Sequence, residues 1–170
     1  KPSKWYRLEA DLDLSGQNWN PIELEGNFDG NGHTISNLSI DSDQDYVGLF
    51  SVVDSIFNLT VENVKISAGR SDYVGAFCGI GVMLYNCKLL LGEDSKIVGL
   101  NYVGGLSGYC RHIQYCRVKS SSGSDIILGD SNVGGLGGSL GGLIYYCTSS
   151  ANIKGRTNSG GLAGGVAGNY

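Results

Sequence analysis

The chain has 170 residues, 28 of them glycine, and a formal net charge of −4. Its hydrophobic content of 41% is sufficient for the packed core of one domain, which we expect to be monomeric. No segment concentrates lysine or arginine, and no apolar run reaches the roughly 18 residues of a membrane span, so the sequence predicts neither nucleic-acid binding nor membrane insertion. Because the chain starts without methionine or an apolar signal region, we interpret it as a mature fragment or a domain of a longer protein.

Residues 1–45 are predicted to form an N-terminal cap and an irregular first turn of the fold. Alternating apolar residues from Tyr6 to Leu14 are typical of a strand. In the segment FDGNGHT, Asp29 and His33 are of the residue types that form a general acid and base pair. Asp-Gly and Asn-Gly are strong turn formers, however, and we favour a tight turn over a catalytic pair.

The acidic segment DSDQDY precedes the repeats described below. Its Asp41, Asp43 and Asp45 have the spacing that opens a calcium-binding loop. Tyr46 stands where that loop needs glycine, and no glutamate follows at the twelfth position. We therefore favour a solvated acidic turn, and calcium binding at the three aspartates is left open.

Residues 46–170 contain a repeat of 26 to 30 residues built from three short apolar segments. The first segment, with sequences such as YVGGLSG and NVGGLGG, begins at Tyr46, Tyr73, Tyr102, Asn132 and Asn158. The second begins at Ile56, Leu84, Ile113 and Ile144, and the third at Ile66, Ile97, Ile127 and Ile153. The stretch ISNLSI at Ile35 matches IFNLTV at Ile56 and is interpreted as an early, shorter copy of the repeat.

This repeat predicts an all-β fold, a parallel β-helix with three short strands in each turn. The apolar segments are too short for helices, and their alternation with glycine favours strands. Equivalent residues of successive turns should stack into core columns. We expect Gly104 and Gly105 to allow a turn with φ > 0 and a close approach of the backbone, and Arg111 and His112 to lie in the turn between two strands.

Three of the five cysteines, Cys87, Cys116 and Cys147, share one repeat position, at which earlier copies have Leu59 and Leu38. A position that accepts leucine or cysteine is predicted to be small, apolar and buried. Zinc binding is disfavoured because no C-x-x-C pair exists and the histidines are not at ligand spacing. Stacked residues about 4.8 Å apart are also wider than a disulfide prefers, although the sequence does not decide whether any disulfide forms.

The motifs VGGLSG, VGGLGG and GGLAG, together with I-x-[NY]-C segments between them, resemble the GLUG repeats of bacterial surface adhesins and of the non-catalytic regions of IgA-cleaving metallopeptidases. The copies VGLF and VGAFCG lack the second glycine of the motif, and Ser159 replaces its valine in the last copy. The resemblance implies a right-handed parallel β-helix on a secreted or cell-surface bacterial protein. It implies no catalytic residues.

One aromatic column is not obviously required for packing. Tyr46, Tyr73 and Tyr102 each precede the inward valine of a repeat, so strand alternation predicts that they point outward and stack along one edge. Neighbouring hydrogen-bonding groups come from Asp45, Asp72 and Asn101. Rings beside carboxylates or amides suit a saccharide, whereas the alternative is that the rings only cover a corner of the fold.

The sequence therefore predicts a non-catalytic, extracellular, adhesin-like module that presents a surface for a glycan or for a host or cell-surface protein. No cofactor, metal ion or catalytic residue is expected. The alternatives are a carbohydrate-active lyase or hydrolase module, since such enzymes occur among parallel β-helices, and a structural stalk of a large secreted peptidase. Metallopeptidase activity itself would need the motif H-E-x-x-H, and the chain has two histidines, His33 and His112.

Overall fold

The computed structural model describes residues 3–167, in which the chain forms short β-strands and no helix. In chain order the strands are β1 (Trp5–Arg7), β2 (Leu12–Asp13), β3 (Ile22–Asp29), β4 (Thr34–Ser36), β5 (Ser39–Asp41), β6 (Phe50–Phe57), β7 (Thr60–Glu62), β8 (Lys65–Ser67), β9 (Cys78–Tyr85), β10 (Lys88–Leu91), β11 (Lys96–Val98), β12 (Asn101–Gly104), β13 (Ser107–Gln114), β14 (Arg117–Ser120), β15 (Asp125–Leu128), β16 (Ser131–Gly134), β17 (Gly137–Leu140), β18 (Ile144–Tyr145), β19 (Thr148–Ser149), β20 (Asn152–Lys154), β21 (Thr157–Gly160) and β22 (Ala163–Val166).

Parallel pairing arranges these strands into a β-solenoid of about five turns, which confirms the predicted parallel β-helix. Sheet A contains β1, β3, β6, β9, β13, β17, β18 and β22, and sheet B contains β2, β4, β7, β10, β14 and β19. Sheet C contains β5, β8, β11, β15 and β20, and sheet D contains β12, β16 and β21. Each complete turn contributes one strand to sheet A, one to sheet B and one to sheet C, in that order. The later turns have a fourth short strand, which belongs to sheet D.

Equivalent positions of the repeat stack directly on one another, as their spacing predicts. Val47 bridges to Val74 and Val74 to Val103, and β12 then pairs Val103 with Val133. The next turn places Ser159 at this position. The isoleucines at Ile66, Ile97, Ile127 and Ile153 form a second continuous column. The valines and the first three isoleucines are fully or almost fully buried, so the columns form the core.

The segment at Ile35 is not the early copy of the repeat that its sequence suggests. Ile35 pairs with Val61 in sheet B, whereas Ile56 pairs with Phe28 in sheet A. The physical reason is that two different corners of the solenoid need the same local pattern, an asparagine with positive φ followed by a buried leucine. Asn37 has φ 60° between sheets B and C, and Asn58 has φ 51° between sheets A and B. Leu38 is therefore not at the repeat position of the three cysteines.

Arg111 and His112 do not lie in a turn between two strands, as expected, but inside β13. The flanking residues Cys110 and Ile113 both face the core and are fully buried. Because two outward residues separate two inward ones, the alternation of this strand is interrupted without ending its pairing to β9. The break in alternation at Arg111 and His112 is visible in the sequence, whereas the continued pairing of the strand across this break is not.

Gly104 and Gly105 serve close packing and not positive φ. The described glycines with positive φ are Gly16, Gly26 and Gly32, and the left-handed residue at this corner is Tyr102, with φ 55°. A Cβ atom at Gly104 would overlap the carbonyl oxygen of Ser107 and the backbone of the next turn. The glycine pair is therefore required because successive turns approach each other too closely for a side chain.

We expect Val103→Asp to unfold the solenoid locally and to lower the free energy of unfolding by at least about 4 kcal/mol, because it buries an unpaired charge. Val103 is 0% exposed and stacks on a valine in each neighbouring turn. The matched control is Val82→Asp, since Val82 is 47% exposed in sheet A. Urea unfolding followed by far-UV circular dichroism measures the effect, and equal stability of the two variants would contradict the assigned register.

Gly104→Ala is expected to lower the free energy of unfolding by at least about 2 kcal/mol, because the added methyl group meets backbone atoms that cannot move away without separating two turns. Gly161→Ala is the control, because a Cβ atom there has no neighbour within 4 Å. Thermal melting of both variants tests the expectation, and a stable Gly104→Ala variant would show that the turns are less closely packed than described.

Candidate functional site

The predicted tyrosine column, defined as Tyr46, Tyr73 and Tyr102, lies outside the core on the edge that leads into sheet D. The rings of Tyr46 and Tyr73 stack with centroids 5.4 Å apart and an interplanar angle of 15°. Those of Tyr73 and Tyr102 are 4.6 Å apart at 4°. Tyr46 is 40% exposed, and the other two rings are half-buried. The predicted outward column is therefore present as a nearly parallel stack.

Each member of the tyrosine column has a backbone conformation that is unusual for a bulky residue. The φ angles are 64°, 61° and 55° for Tyr46, Tyr73 and Tyr102. At the same position the later turns have Asn132 and Asn158, with φ angles of 55° and 50°, and asparagine tolerates this region better. A left-handed conformation costs about 1–2 kcal/mol for an ordinary residue. Ring stacking contributes about 0.5–1.5 kcal/mol and partly offsets that cost.

The predicted polar residues of this edge form a hydrogen-bonded ladder along the solenoid axis. The Oδ1 atom of Asp45 accepts a hydrogen bond from the backbone N–H of Asp72 at 2.8 Å. The Oδ1 atom of Asp72 accepts one from the backbone N–H of Asn101 at 3.2 Å and one from its side-chain amide at 2.9 Å. All six predicted site residues therefore come together on one edge, where the acidic groups also connect successive turns.

The electrostatic environment keeps the central phenol neutral. Burial raises the pKa of Tyr73, and the adjacent Tyr102, Tyr46, Asp72 and Asp45 raise it further. A neutral phenol retains its O–H as a hydrogen-bond donor. Chemically, the tyrosine column offers phenol hydroxyls and ring edges, whereas both faces of the Tyr73 ring are covered by its neighbours.

A second exposed row of aromatic side chains, which the sequence prediction missed, lies along the corner between sheets A and B. Successive rings from Phe57 to Tyr145 are 5.4 to 6.2 Å apart. Trp5 lies two residues before the corner position of β1 and stacks on Phe57 at 5.3 Å, whereas the intervening turn of β3 has Asp29 at that position. The signal was present in the segments IFNL, LYNC, IQYC and IYYC, where one or both residues after the core isoleucine or leucine are aromatic in each copy. We call this row the aromatic strip; it consists of Trp5, Phe57, Tyr85, Tyr115, Tyr145 and Tyr146.

The turn predicted at FDGNGHT is confirmed. The backbone N–H of His33 donates to the carbonyl oxygen of Gly30 at 2.8 Å, and Asn31 and Gly32 between them have positive φ. Asp29 accepts hydrogen bonds from the backbone of Asn31 and the side chain of Asn58. His33 lies 3.1 Å from a carboxylate oxygen of Asp11 and not beside Asp29. The two residues considered as an acid and base pair therefore bond to different partners.

The three aspartates with calcium-loop spacing lie in separate environments. Asp41 ends strand β5, Asp43 lies 3.8 Å from the guanidinium of Arg70, and Asp45 belongs to the ladder described above. Within residues 3–167 no group of three or more His, Cys, Asp or Glu side chains is arranged to hold a metal ion.

A polar groove of about 480 Å³ lies at the corner between sheets B and C. Two middle turns of the solenoid have short connections at this corner, at Asn37 and Asn63. The turns on either side have longer connections, at Gly16 and Glu93, and these form the walls of the groove. Lys65 also contributes to the lining. The groove offers amide, hydroxyl and charged groups, but it contains no aromatic ring.

The five cysteines are free thiols, and three of them form an inward column. Cys87 and Cys116 are buried, and the backbone N–H of each donates to the sulfur of the next cysteine of the column at 3.4 Å. Cys147 continues this column and is half-buried. Cys78 and Cys110 are also buried, but they occupy different register positions, because Cys78 pairs with Ser107 and Cys110 pairs with Gly81. Burial raises the pKa of Cys110 to about 12, so that its thiol is protonated at neutral pH.

Comparison with known proteins identifies one similar sequence and no family. Over 124 residues, 61% of this chain, the sequence is 37% identical to Halomucin from Haloquadratum walsbyi. The chain spans 1% of the length of that protein. No protein-family model matches the chain, and no solved structure matches it significantly. No helix in the described part of the chain has the length and apolar character to cross a lipid bilayer.

Thiol labelling under native conditions is expected to modify Cys147 first, and the other four cysteines only after unfolding, because a buried thiol with a raised pKa supplies little accessible thiolate. Mass spectrometry after iodoacetamide treatment, with and without urea, counts the modified thiols. Cys147→Ser is the control and should leave the native protein unlabelled. Rapid native labelling of Cys87 or Cys116 would contradict their assignment to the core.

Proposed function

We propose that this chain is a non-catalytic module of an extracellular or cell-surface protein, and that it binds a glycan or a surface partner through its outer edges. The observation that carries the proposal is the outward tyrosine column beside the ladder of Asp45, Asp72 and Asn101. A rigid row of rings with adjacent hydrogen-bonding groups suits a saccharide, which has apolar ring faces and a rim of hydroxyls.

The extracellular location is supported by the similarity to Halomucin, a much longer protein whose name classes it with the mucins. That protein is archaeal, so the similarity gives no support to the bacterial source implied by the GLUG resemblance. The GLUG assignment remains part of the proposal and rests on the VGG motifs, whose valines stack from turn to turn. We therefore propose an extracellular or cell-surface location and do not assign the protein to bacteria or to archaea.

A binding role is favoured over a catalytic one because the acidic groups of the edge already have structural partners. One oxygen of Asp45 and one of Asp72 accept hydrogen bonds from the backbone of the next turn. A general base needs access to a substrate proton and a second group that orients it. The remaining carboxylate oxygens and the phenol hydroxyls can still accept or donate hydrogen bonds to sugar hydroxyls.

Because the ring faces within the tyrosine column cover one another, a ligand at this edge would contact phenol hydroxyls, ring edges and the outer faces of the end rings. These contacts are polar and shallow, so the proposed binding is weak for each sugar residue. Repetition along three turns would raise the strength of binding to an extended glycan over that to a single sugar.

Replacing the column by Tyr46→Asn, Tyr73→Asn and Tyr102→Asn together is expected to weaken glycan binding at this edge at least about tenfold. Asparagine is the residue that Asn132 and Asn158 provide at the same left-handed position, so the fold should persist with a melting temperature near that of the wild type. Glycan-array screening followed by affinity electrophoresis measures binding, and melting curves verify the fold.

Unchanged binding by this folded triple variant would show that the tyrosine column contributes only packing. Release of shorter products from any glycan of the screen would contradict the non-catalytic assignment and favour a lyase or hydrolase. Both outcomes are measured in the same samples.

A further inference from the structure

We propose that the aromatic strip between sheets A and B is the surface on which an extended polysaccharide lies, with its chain along the solenoid axis. The inference rests on the proposed glycan-binding function and assigns the main contact surface to side chains outside the predicted site. The ligand class follows from three properties of the strip: its exposure, the orientation of its rings and the repetition of its polar neighbours.

The strip is mostly exposed, with Phe57 half-buried, and it is interrupted at the turn of β3, where Asp29 is in register with Phe57. Trp5 stacks on Phe57 at 5.3 Å, and Phe57 lies 6.2 Å from Tyr85. Tyr85 lies 5.4 Å from Tyr115, which is 5.9 Å from Tyr145. The exposed fractions are 61% for Trp5, 46% for Tyr115 and 52% for Tyr145. Contiguous exposed apolar surface of this kind marks interaction sites more often than scattered single residues do.

Ring orientation distinguishes the strip from the tyrosine column. Tyr85 and Tyr115 meet at an interplanar angle of 66°, and Tyr115 and Tyr145 at 86°. In an edge-to-face pair the ring that contributes its edge keeps both faces free of that neighbour, whereas rings stacked at 4° cover each other. Two pairs within the strip are stacked, Tyr115 with Tyr146 at 27° and Trp5 with Phe57 at 26°, so each of these rings has one covered face. The edge-to-face pairs leave other aromatic faces exposed, on which the apolar face of a sugar ring can lie.

Polar groups accompany the strip from turn to turn. Asn58 and Asn86 lie at the same corner, and the amide of Asn86 donates to the Oδ1 atom of Asn58 at 2.8 Å. Gln114 takes the strip position of its own turn, in register with Tyr85 and Tyr145. Just past the corner, strand β10 begins at Lys88 and strand β14 at Arg117, and these two residues stack and are exposed. A sugar ring can therefore contact an aromatic face and hydrogen-bonding groups at the same corner.

Repetition favours a polymer over a globular protein partner. Equivalent positions recur about every 4.8 Å along the axis, close to the length of one sugar residue in an extended polysaccharide. A polysaccharide offers the same chemistry at each step and can meet an aromatic ring in each turn from Phe57 to Tyr145, with an amide beside it in the turns of Asn58, Asn86 and Gln114. A globular partner has no such period and is more often anchored by a few side chains in dry pockets.

The decisive experiment compares two triple variants that each remove three tyrosines. The strip variant carries Tyr85→Gln, Tyr115→Asn and Tyr146→Asn, which are the residues that Gln114 and Asn86 provide at the equivalent places. The column variant carries asparagine at Tyr46, Tyr73 and Tyr102, as designed above. Both sets use residues that the repeat itself accepts, so both variants should fold, and melting curves verify this.

Binding is measured by affinity electrophoresis in gels containing hydroxyethyl cellulose, mannan, alginate or polygalacturonate. We expect at least one polysaccharide to retard the wild type. Both variants should lose at least about tenfold in apparent affinity, and the strip variant should lose more than the column variant. Neutral and acidic polymers distinguish ring stacking alone from stacking assisted by Lys88 and Arg117. A purely electrostatic site would give a different result: only the acidic polymers would retard the protein, the double variant Lys88→Gln with Arg117→Gln would lose this retardation, and the strip variant would keep it. That result would overturn the inference.

A loss in the strip variant that does not exceed the loss in the column variant overturns the inference and leaves the proposed function in place. No retardation of the wild type by any of the four polymers overturns both. Sedimentation velocity provides the remaining test, because self-association of the wild type that disappears in the strip variant would assign the strip to a second copy of the chain and overturn the polysaccharide assignment.

Trp5 supplies an independent readout at the end of the strip. A bound polysaccharide should change the fluorescence of Trp5, which is 61% exposed, and Trp5→Phe should remove that change. The other tryptophan, Trp19, is half-buried and donates to the carbonyl oxygen of Leu49, so it reports on the fold. A binding signal that persists in Trp5→Phe would place the ligand away from the strip.

Discussion

Parallel, in-register hydrogen bonding between successive turns is the constraint on which the rest of the structure depends. It holds each residue about 4.8 Å from its counterpart, so that equal side chains must contact one another along the axis. Apolar columns such as Val74 on Val103 benefit from this contact. Stacked carboxylates would repel, and the edge avoids this because Asp45 bonds to the backbone of Asp72, which in turn bonds to Asn101. Register thus determines which side chains a surface column can contain.

The corners impose a second constraint, because one residue at several of them must take a left-handed conformation. Asn58, Asn86 and Tyr115 do so at the corner between sheets A and B, with φ angles of 51°, 51° and 54°. Where three successive left-handed residues are tyrosine, as at Tyr46, Tyr73 and Tyr102, the rings stack in parallel. At the A to B corner the aromatic residues are spread over two adjacent positions, and the rings of Tyr85 and Tyr115, which occupy different positions, meet edge to face. The corner conformation thus decides whether ring faces are exposed or covered.

Much of the fold follows from sequence periodicity, because in a solenoid residues at the same position of successive repeats are also the residues that pair in the sheets. Val47 and Val74 could be aligned from sequence alone and form a bridge in the structure. Prediction failed where two corners share one local pattern, as with Ile35, and where β13 continues through outward residues. It identified the tyrosine column because that column occupies one repeat position, and it missed the strip because its rings are spread over two positions.

These constraints favour repetitive ligands for physical reasons. A turn contributes few contacts, and each shallow contact with an exposed ring is weak, but the scaffold holds successive rings at fixed separations before any ligand arrives. Binding therefore orders little of the protein, and the entropic cost falls mainly on the ligand. An extended polymer that is already stiff loses little freedom, and contacts along several turns act as linked sites with a high effective concentration. In the proposed binding mode, affinity should grow with the number of consecutive turns that keep an aromatic face exposed, so that the length of the strip, and not the chemistry of any single residue, would determine binding.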